Sequence, residues 1–179
     1  MKKEFIKLSA ILCTITLVAG LLLAGVNKIT APAIEKSEKR ASEVAMKKIL
    51  PQADNFVQLS DEVTLAKKGD DKIGYCTKVV TSGYGGDIVI MVGMDLDENI
   101  QGIEILSHAE TAGLGAKIAD DDFKEQFKGK SASAKVVKMP TDSPDEFTAV
   151  TGATISSRGV EEGLKQAASL VEKALEENK

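Results

Sequence analysis

The spacing of hydrophobic and polar residues changes along this 179-residue chain, and each change predicts a different element. Leu8 to Val26 carries no charge. At a rise of about 1.5 Å per residue it spans roughly 28 Å, close to the hydrocarbon thickness of a bilayer, and predicts a transmembrane helix. The run exceeds a secretory h-region and no small-x-small cleavage site follows it, so an uncleaved anchor is favoured over a signal peptide. Thr30-Ala31-Pro32 predicts a fresh helix start with proline in its first turn. Ile34, Ala41, Val44, Ala45 and Ile49 then recur at helical spacing against Glu35, Lys36, Glu38, Lys39 and Arg40, predicting a stalk helix that Pro51 ends.

From about Asn55 to Leu106 the pattern is that of antiparallel strands. Ile88, Ile90, Val92 and Met94 alternate, Asp95 to Asn99 turns, and Ile103 and Ile105 resume, which predicts a hairpin. Asp120-Asp121-Asp122 opens a short helix with Phe123 and Phe127 on one face, and Pro140 to Pro144 is a loop. Val160, Leu164, Ala167, Ala168, Val171 and Leu175 form the apolar stripe of a closing helix. The chain thus divides into a basic flank at 1–7, a transmembrane anchor at 8–26, a stalk helix at 27–51 and one α+β domain at 52–179, an antiparallel sheet packed by helices.

Composition narrows the chemistry. Net charge is −4, and residues 1–7 contribute +2 (Lys2, Lys3 and Lys7 against Glu4), leaving an acidic remainder without a basic run. Tryptophan is absent and aromatics make up 4%, so nucleic acid is a poor partner. Cys13 lies in the apolar run and Cys76 in a strand, and His108 is the only histidine, so no zinc or iron–sulfur site is predicted. Asp95, Asp97 and Asn99 mimic a calcium loop, but Ile100 and Leu106 stand where glycine and glutamate are needed. Any redox chemistry therefore falls to an organic cofactor. Lysines flank both sides of the apolar run, so charge alone leaves its orientation open.

The most informative stretch is Thr151-Gly152-Ala153-Thr154-Ile155-Ser156-Ser157, placed just before the closing helix. A hydroxyl-rich turn with glycine at a helix N-terminus offers free N–H groups and the positive end of the dipole, which suit a phosphate. Ser156 or Ser157 acting only as an N-cap is the plainer alternative. Ser82-Gly83-Tyr84-Gly85-Gly86-Asp87 reads as a glycine-rich hairpin turn open to a flat ligand, and Ser107 to Gly115 as a loop that combines polar Glu110 and Thr111 with flexible Gly113 and Gly115.

These residues resemble a known family. Thr151 to Ser157 is similar to the flavinylation motif of the FMN-binding domain family, Ser/Thr-Gly-Ala-Thr-x-Ser/Thr, whose best-known members are subunits of respiratory redox pumps. The resemblance implies that Thr154 carries FMN through a phosphoester, with Thr151, Gly152, Ala153, Ser156 and Ser157 completing the motif. Two further patches resemble the family. They imply cofactor contacts at Ser82, Gly83, Tyr84, Gly85 and Gly86, and at Glu110, Thr111, Leu114 and Gly115. On this reading Tyr84 lies beside the flavin ring, Leu114 packs on it, and Glu110 and Thr111 hydrogen-bond its pyrimidine edge. Ala112 replaces the family's usual proline in Glu-Thr-Pro-Gly-Leu-Gly, which loosens that turn and removes no polar group.

Short length and a single apolar segment point, within the family, to the G-type subunits of Rnf-type electron-transport complexes. That implies an electron-transfer subunit, single-pass in the cell membrane, with its FMN domain on the extracytoplasmic side. Its partners would be other membrane subunits that exchange electrons between ferredoxin and NAD with Na+ or H+ movement, and a flavin transferase for maturation. No metal is implied. The alternatives are a C-type subunit of a sodium-pumping NADH:quinone oxidoreductase, an extracellular flavin reductase module, or a membrane-anchored binding or scaffold domain without redox chemistry.

Overall fold

The computed structural model describes residues 2–140 and 143–177. Chain contacts divide it into two units, Met1–Arg40 and Ala41–Lys179.

The described part of the first unit lies within helix α1 (Lys2–Ile49). Among the described residues this is the only helix long and apolar enough to cross a membrane. Leu12, Leu17, Leu21, Leu22 and Leu23 are all exposed, as a lipid-facing helix requires. The Thr14, Thr16 and Thr30 hydroxyls donate back to the carbonyls of Ala10, Leu12 and Val26 at 2.8, 3.0 and 3.0 Å, which satisfies them without water. The helix start expected at Thr30–Pro32 is not there: Pro32 sits inside one continuous helix. A proline costs a helix one hydrogen bond and some crowding, but the run on either side continues the helical pattern.

The second unit is built on a five-stranded antiparallel meander in the order β1 (Asn55–Gln58), β2 (Val63–Lys68), β3 (Asp71–Ser82), β4 (Asp87–Met94) and β5 (Ile100–His108). The predicted hairpin is β4–β5, with Ile90 opposite Ile105, Val92 opposite Ile103 and Met94 opposite Ile100. Its turn is organised by Asp95. The carboxylate accepts the backbone N–H groups of Asp97 and Asn99, both at 2.9 Å, so this acidic cluster is a turn motif.

One sheet face carries the main core. Helix α3 (Thr154–Glu177) lays Val160, Leu164, Ala167 and Val171 against Val79, Ile88, Ile90 and Val92, all buried. Sequestering each large side chain contributes roughly 1.5–3 kcal/mol. Phe123 on α2 (Asp121–Glu125), Phe127 and Phe147 extend this core as an aromatic trio with centroids 4.6–6.1 Å apart. The opposite face is covered by Ala45, Ile49 and Leu50 packed on Ala66, Cys76 and Met91. Ile49 occupies space left by Gly93, where a Cβ would strike it. Cys76 is the predicted buried hydrophobe, 1% exposed, and burial pushes its thiol up to about 12.

A parallel pair, β6 (Lys135–Val137) and β7 (Glu146–Thr148), leads into α3. Gln126 brackets β7, donating to the Thr148 carbonyl at 3.2 Å and accepting its N–H at 2.8 Å. Glu161 of α3 accepts the Val136 N–H at 3.0 Å. Thr141 and Asp142, in the loop predicted at Pro140–Pro144, lie outside the described residues.

Candidate functional site

The three sequence patches lie far apart along the chain, yet they meet at one end of the sheet. A cleft of about 470 Å³ is lined there by Tyr84, Glu110, Thr111, Leu114, Gly115, Gly152, Ala153, Thr154, Ile155 and Ser156.

Its floor is the start of α3. Gly152, at φ +80°, reverses the chain, and the Ala153 carbonyl accepts the first helical bond from the Ser157 N–H at 3.0 Å. The helix therefore opens at Thr154, so the motif straddles its start: Thr151–Ala153 form the turn ahead of it and Thr154–Ser157 its first helical turn. The backbone N–H groups of Thr154, Ile155 and Ser156 precede the first closed turn and have no partner within the helix, and Thr154 is half-buried at the cleft.

Neither serine is an N-cap. The Ser157 hydroxyl accepts the Val150 N–H at 3.0 Å and donates to the Ala153 carbonyl at 3.0 Å, pinning the chain that enters the helix. The Ser156 hydroxyl donates to Glu110 Oε2 at 2.5 Å. Both side chains are buried.

Glu110 joins the three patches. Its Oε1 accepts the N–H groups of Tyr84 at 2.7 Å and Gly85 at 3.0 Å, while Oε2 takes Ser156. Both oxygens are thus engaged inside the protein, and the residue is only 8% exposed. Burial opposes the charged form, but hydrogen bonds from Ser156, Gly85 and Tyr84 outweigh it and hold the carboxyl below its ordinary value. His108 is a structural hydrogen-bonder, its Nδ1 accepting the Glu110 N–H at 3.2 Å.

The glycines follow from this crowding. A Cβ on Gly83 or Gly115 would collide with the Glu110 carboxylate, and one on Gly85 with the Ala109 carbonyl.

Of the predicted positions, Tyr84, Glu110, Thr111, Leu114, Gly115, Gly152, Ala153, Thr154 and Ser156 line the cleft. Ser82, Gly83, Gly85, Gly86, Thr151 and Ser157 do not. Ser82 ends β3, Gly83, Gly85 and Gly86 lie in the β3–β4 loop, Thr151 stands in the turn before α3 and Ser157 in its first helical turn. Ile155 was not anticipated and lines the cleft at 54% exposure. Its place one residue after Thr154 in an opening helical turn was the available signal. With Tyr84 and Leu114, 72% and 49% exposed, it gives the cleft an open apolar rim beside a polar floor. Such a pairing suits a ligand with a flat aromatic part and an anionic end.

Comparison with known proteins agrees in region and in kind. Residues 83–169 match the FMN-binding domain family. The chain is 34% identical over 156 residues to the G subunit of the proton-translocating ferredoxin:NAD(+) oxidoreductase complex of Clostridium ljungdahlii, covering 86% of this chain and 84% of that protein. It is 36% identical over 185 positions to the G subunit of the Na(+)-translocating ferredoxin:NAD(+) oxidoreductase complex of Acetobacterium woodii, covering 90% and 89%. Among solved structures, the C subunit of the Na(+)-translocating NADH-quinone reductase from Parabacteroides distasonis superposes with a TM-score of 0.55 at 30% identity. That match covers 63% of this chain and 61% of the other, less than two thirds of its length.

Proposed function

The chain belongs to the family of FMN-binding G-type subunits of ion-translocating oxidoreductase complexes, and from that premise we propose that it carries FMN as a phosphoester on Thr154 and relays electrons between partner subunits on the extracytoplasmic side of a membrane. It is an FMN-carrying electron-transfer subunit, associated with the membrane through α1.

One observation carries the attachment site: the Thr154 side chain lies in a cleft whose floor is the open N-terminus of α3 and whose rim is apolar. At about 470 Å³ the cleft falls in the range of cofactor sites. The free N–H groups at Thr154–Ser156 suit the phosphate, and Tyr84, Leu114 and Ile155 suit the ring system. Thr111 offers a polar side chain at the same rim. When bound, FMN supplies the redox chemistry by taking up and releasing electrons. The residues of this chain tether, orient and partly cover it.

Forming a phosphoester in water requires an activated donor, a flavin phosphoanhydride presented by a flavin transferase. The Thr154 Oγ1–phosphorus bond forms as the anhydride P–O bond breaks. The nucleotide monophosphate leaves with the bonding pair, and the hydroxyl proton passes to a base of the transferase. A covalent tether keeps the cofactor from being lost by dissociation.

The sequence contains no dinucleotide-binding glycine fingerprint and no cysteine array, so NAD and ferredoxin exchange belongs to partner subunits. The relatives include a subunit of a proton-translocating complex and one of a Na(+)-translocating complex. Likeness to the C subunit of a Na(+)-translocating NADH-quinone reductase supports the same domain fold and a place in a redox complex.

The test is peptide mass mapping of protein purified from its own membrane. FMN-phosphoryl mass is expected on the peptide holding Thr154, and Thr154→Ala should abolish it while keeping the thermal midpoint of the flavin-free wild-type chain. An unmodified Thr154 in protein matured with an active transferase, or flavin retained by Thr154→Ala, overturns the assignment.

A further inference from the structure

Glu110 presents a mismatch between place and occupation. It lines the cleft, yet both of its oxygens are bonded to protein donors and its side chain is almost wholly buried. A flavin ligand would need free hydrogen-bonding capacity aimed at the opening. This carboxylate is aimed at Ser156 and at the Tyr84–Gly85 loop.

The partner it grips is informative. Ser156 stands two residues after Thr154 in the same turn of α3, and at about 100° per residue the two side chains point to nearly opposite sides of the helix. Holding Ser156 inward therefore fixes Thr154 outward. The burial agrees: Ser156 is 1% exposed, whereas Thr154 is half-buried. The carboxylate itself has little freedom, because the absent Cβ atoms of Gly83 and Gly115 are replaced by its own atoms, and a Cβ on Gly115 would also lie 2.8 Å from Ser156 Oγ.

We propose that Glu110 is a positioning residue for the attachment reaction. It acts through Ser156 to rotate the first turn of α3 so that the Thr154 hydroxyl faces the incoming phosphorus, and it ties the Tyr84 loop to the same point. The inference rests on the attachment of FMN at Thr154 argued above. It assigns to Glu110 the geometry of the nucleophile rather than contact with the flavin, in place of the hydrogen bond to the ring that the sequence alone suggested.

The experiment uses the full-length, unmodified chain with its flavin transferase and a flavin dinucleotide donor, following FMN mass on the Thr154 peptide with time. Ser156→Ala and Glu110→Ala should each slow attachment by roughly tenfold, the scale of losing one charge-assisted hydrogen bond. The loss should fall mainly on kcat, because docking to the transferase is untouched. The double variant should be no slower than the slower single, since both remove one interaction. Glu110→Gln keeps an acceptor for the two amides and a group for Ser156, and should recover to within about threefold of wild type. Without any flavin, hydrogen exchange at the amides of Tyr84 and Gly85 should accelerate in Glu110→Ala and be restored in Glu110→Gln. Should Glu110→Ala not fold, Ser156→Ala and Glu110→Gln carry the test. Wild-type attachment by Ser156→Ala overturns the proposal, as does a folded Glu110→Gln as slow as Glu110→Ala. If wild type itself acquires no FMN at Thr154, the proposed function falls and takes this inference with it, a result recognisable because wild type and every variant are then equally blank.

Discussion

Glu104 and Glu110, on either side of the end of β5, resolve the burial of a carboxylate in opposite ways. Glu104 is met by lysines, Lys124 Nζ at 2.8 Å and Lys48 Nζ at 2.9 Å, and Lys124 is itself 8% exposed and also reaches Asp121 at 3.0 Å. Glu110 is met by two amides and a hydroxyl, and no lysine or arginine bridges it among the described residues. Burial opposes both charges, and in both cases the partners prevail and the carboxyl titrates below its ordinary value. The difference lies in what remains. The lysine cluster cancels its charge and staples α2 and the end of α1 to the sheet. The Glu110 cluster keeps a net negative charge and gains direction, because amides and a serine hydroxyl accept only a narrow geometry.

The strongest test of that contrast removes each acid in turn. Glu110→Ala strands two amides and a buried hydroxyl, and should destabilise the protein by about 3 kcal/mol. Glu104→Ala leaves the buried Lys124 ammonium still paired with exposed Asp121, and should cost about 1–2 kcal/mol. Urea unfolding of the full-length protein in detergent measures both, and equal losses would dissolve the distinction.

Acid and salt sharpen it. Both folded carboxyls titrate below the ordinary value of 4.5, so the stability each contributes is fully present above that value and is lost as pH falls through the folded one. Wild type should therefore weaken steeply below about pH 4.5, and each alanine variant should lose part of that slope. Salt separates the two acids. At about 1 M, where the screening length is about 3 Å, the Glu104→Ala deficit should shrink while the Glu110→Ala deficit persists. Shrinkage in both would mean that the Glu110 cluster works by long-range charge after all.

This contrast also marks how far the sequence was legible. Alternation at Ile88, Ile90, Val92 and Met94 and the stripe Val160, Leu164, Ala167 and Val171 reported the β4–β5 hairpin and the closing helix, because each element's buried face repeats within a short window. The likeness of three patches to one family pointed to segments that the structure brings together. What could not be read were pairings across long stretches of chain. Glu110 and Ser156 are separated by 46 positions, and nothing local to either distinguishes a carboxylate facing a ligand from one facing a serine. The helix start at Thr154 depended on the left-handed turn at Gly152, and the continuity of α1 through Pro32 on the apolar run before it.

The smallest effect concerns two glycines one turn apart on α3, where the cleft end and the core end of the helix should again diverge. Alanine at a helical position gains up to about 1 kcal/mol over glycine, so both substitutions begin with the same advantage. At Gly163 the new methyl would come within 2.8 Å of Ile90 Cδ1, the tip of a side chain that can rotate, and gain and crowding should leave stability within about 0.5 kcal/mol of wild type. At Gly159 the methyl would lie 2.7 Å from the Ser82 carbonyl oxygen. That carbonyl belongs to backbone at the β3–β4 turn, where Gly83 already donates to Gly86 at 2.8 Å, so α3 itself has to give way. Gly159→Ala should therefore cost about 1 kcal/mol net. Because the displaced part is the first turn that carries Thr154 and Ser156, it should also lower covalent FMN, whereas Gly163→Ala should not. Thermal midpoints with FMN mass on the same preparations decide it. If Gly159→Ala keeps full FMN, the first turn tolerates a shift that the Glu110 brace would otherwise forbid.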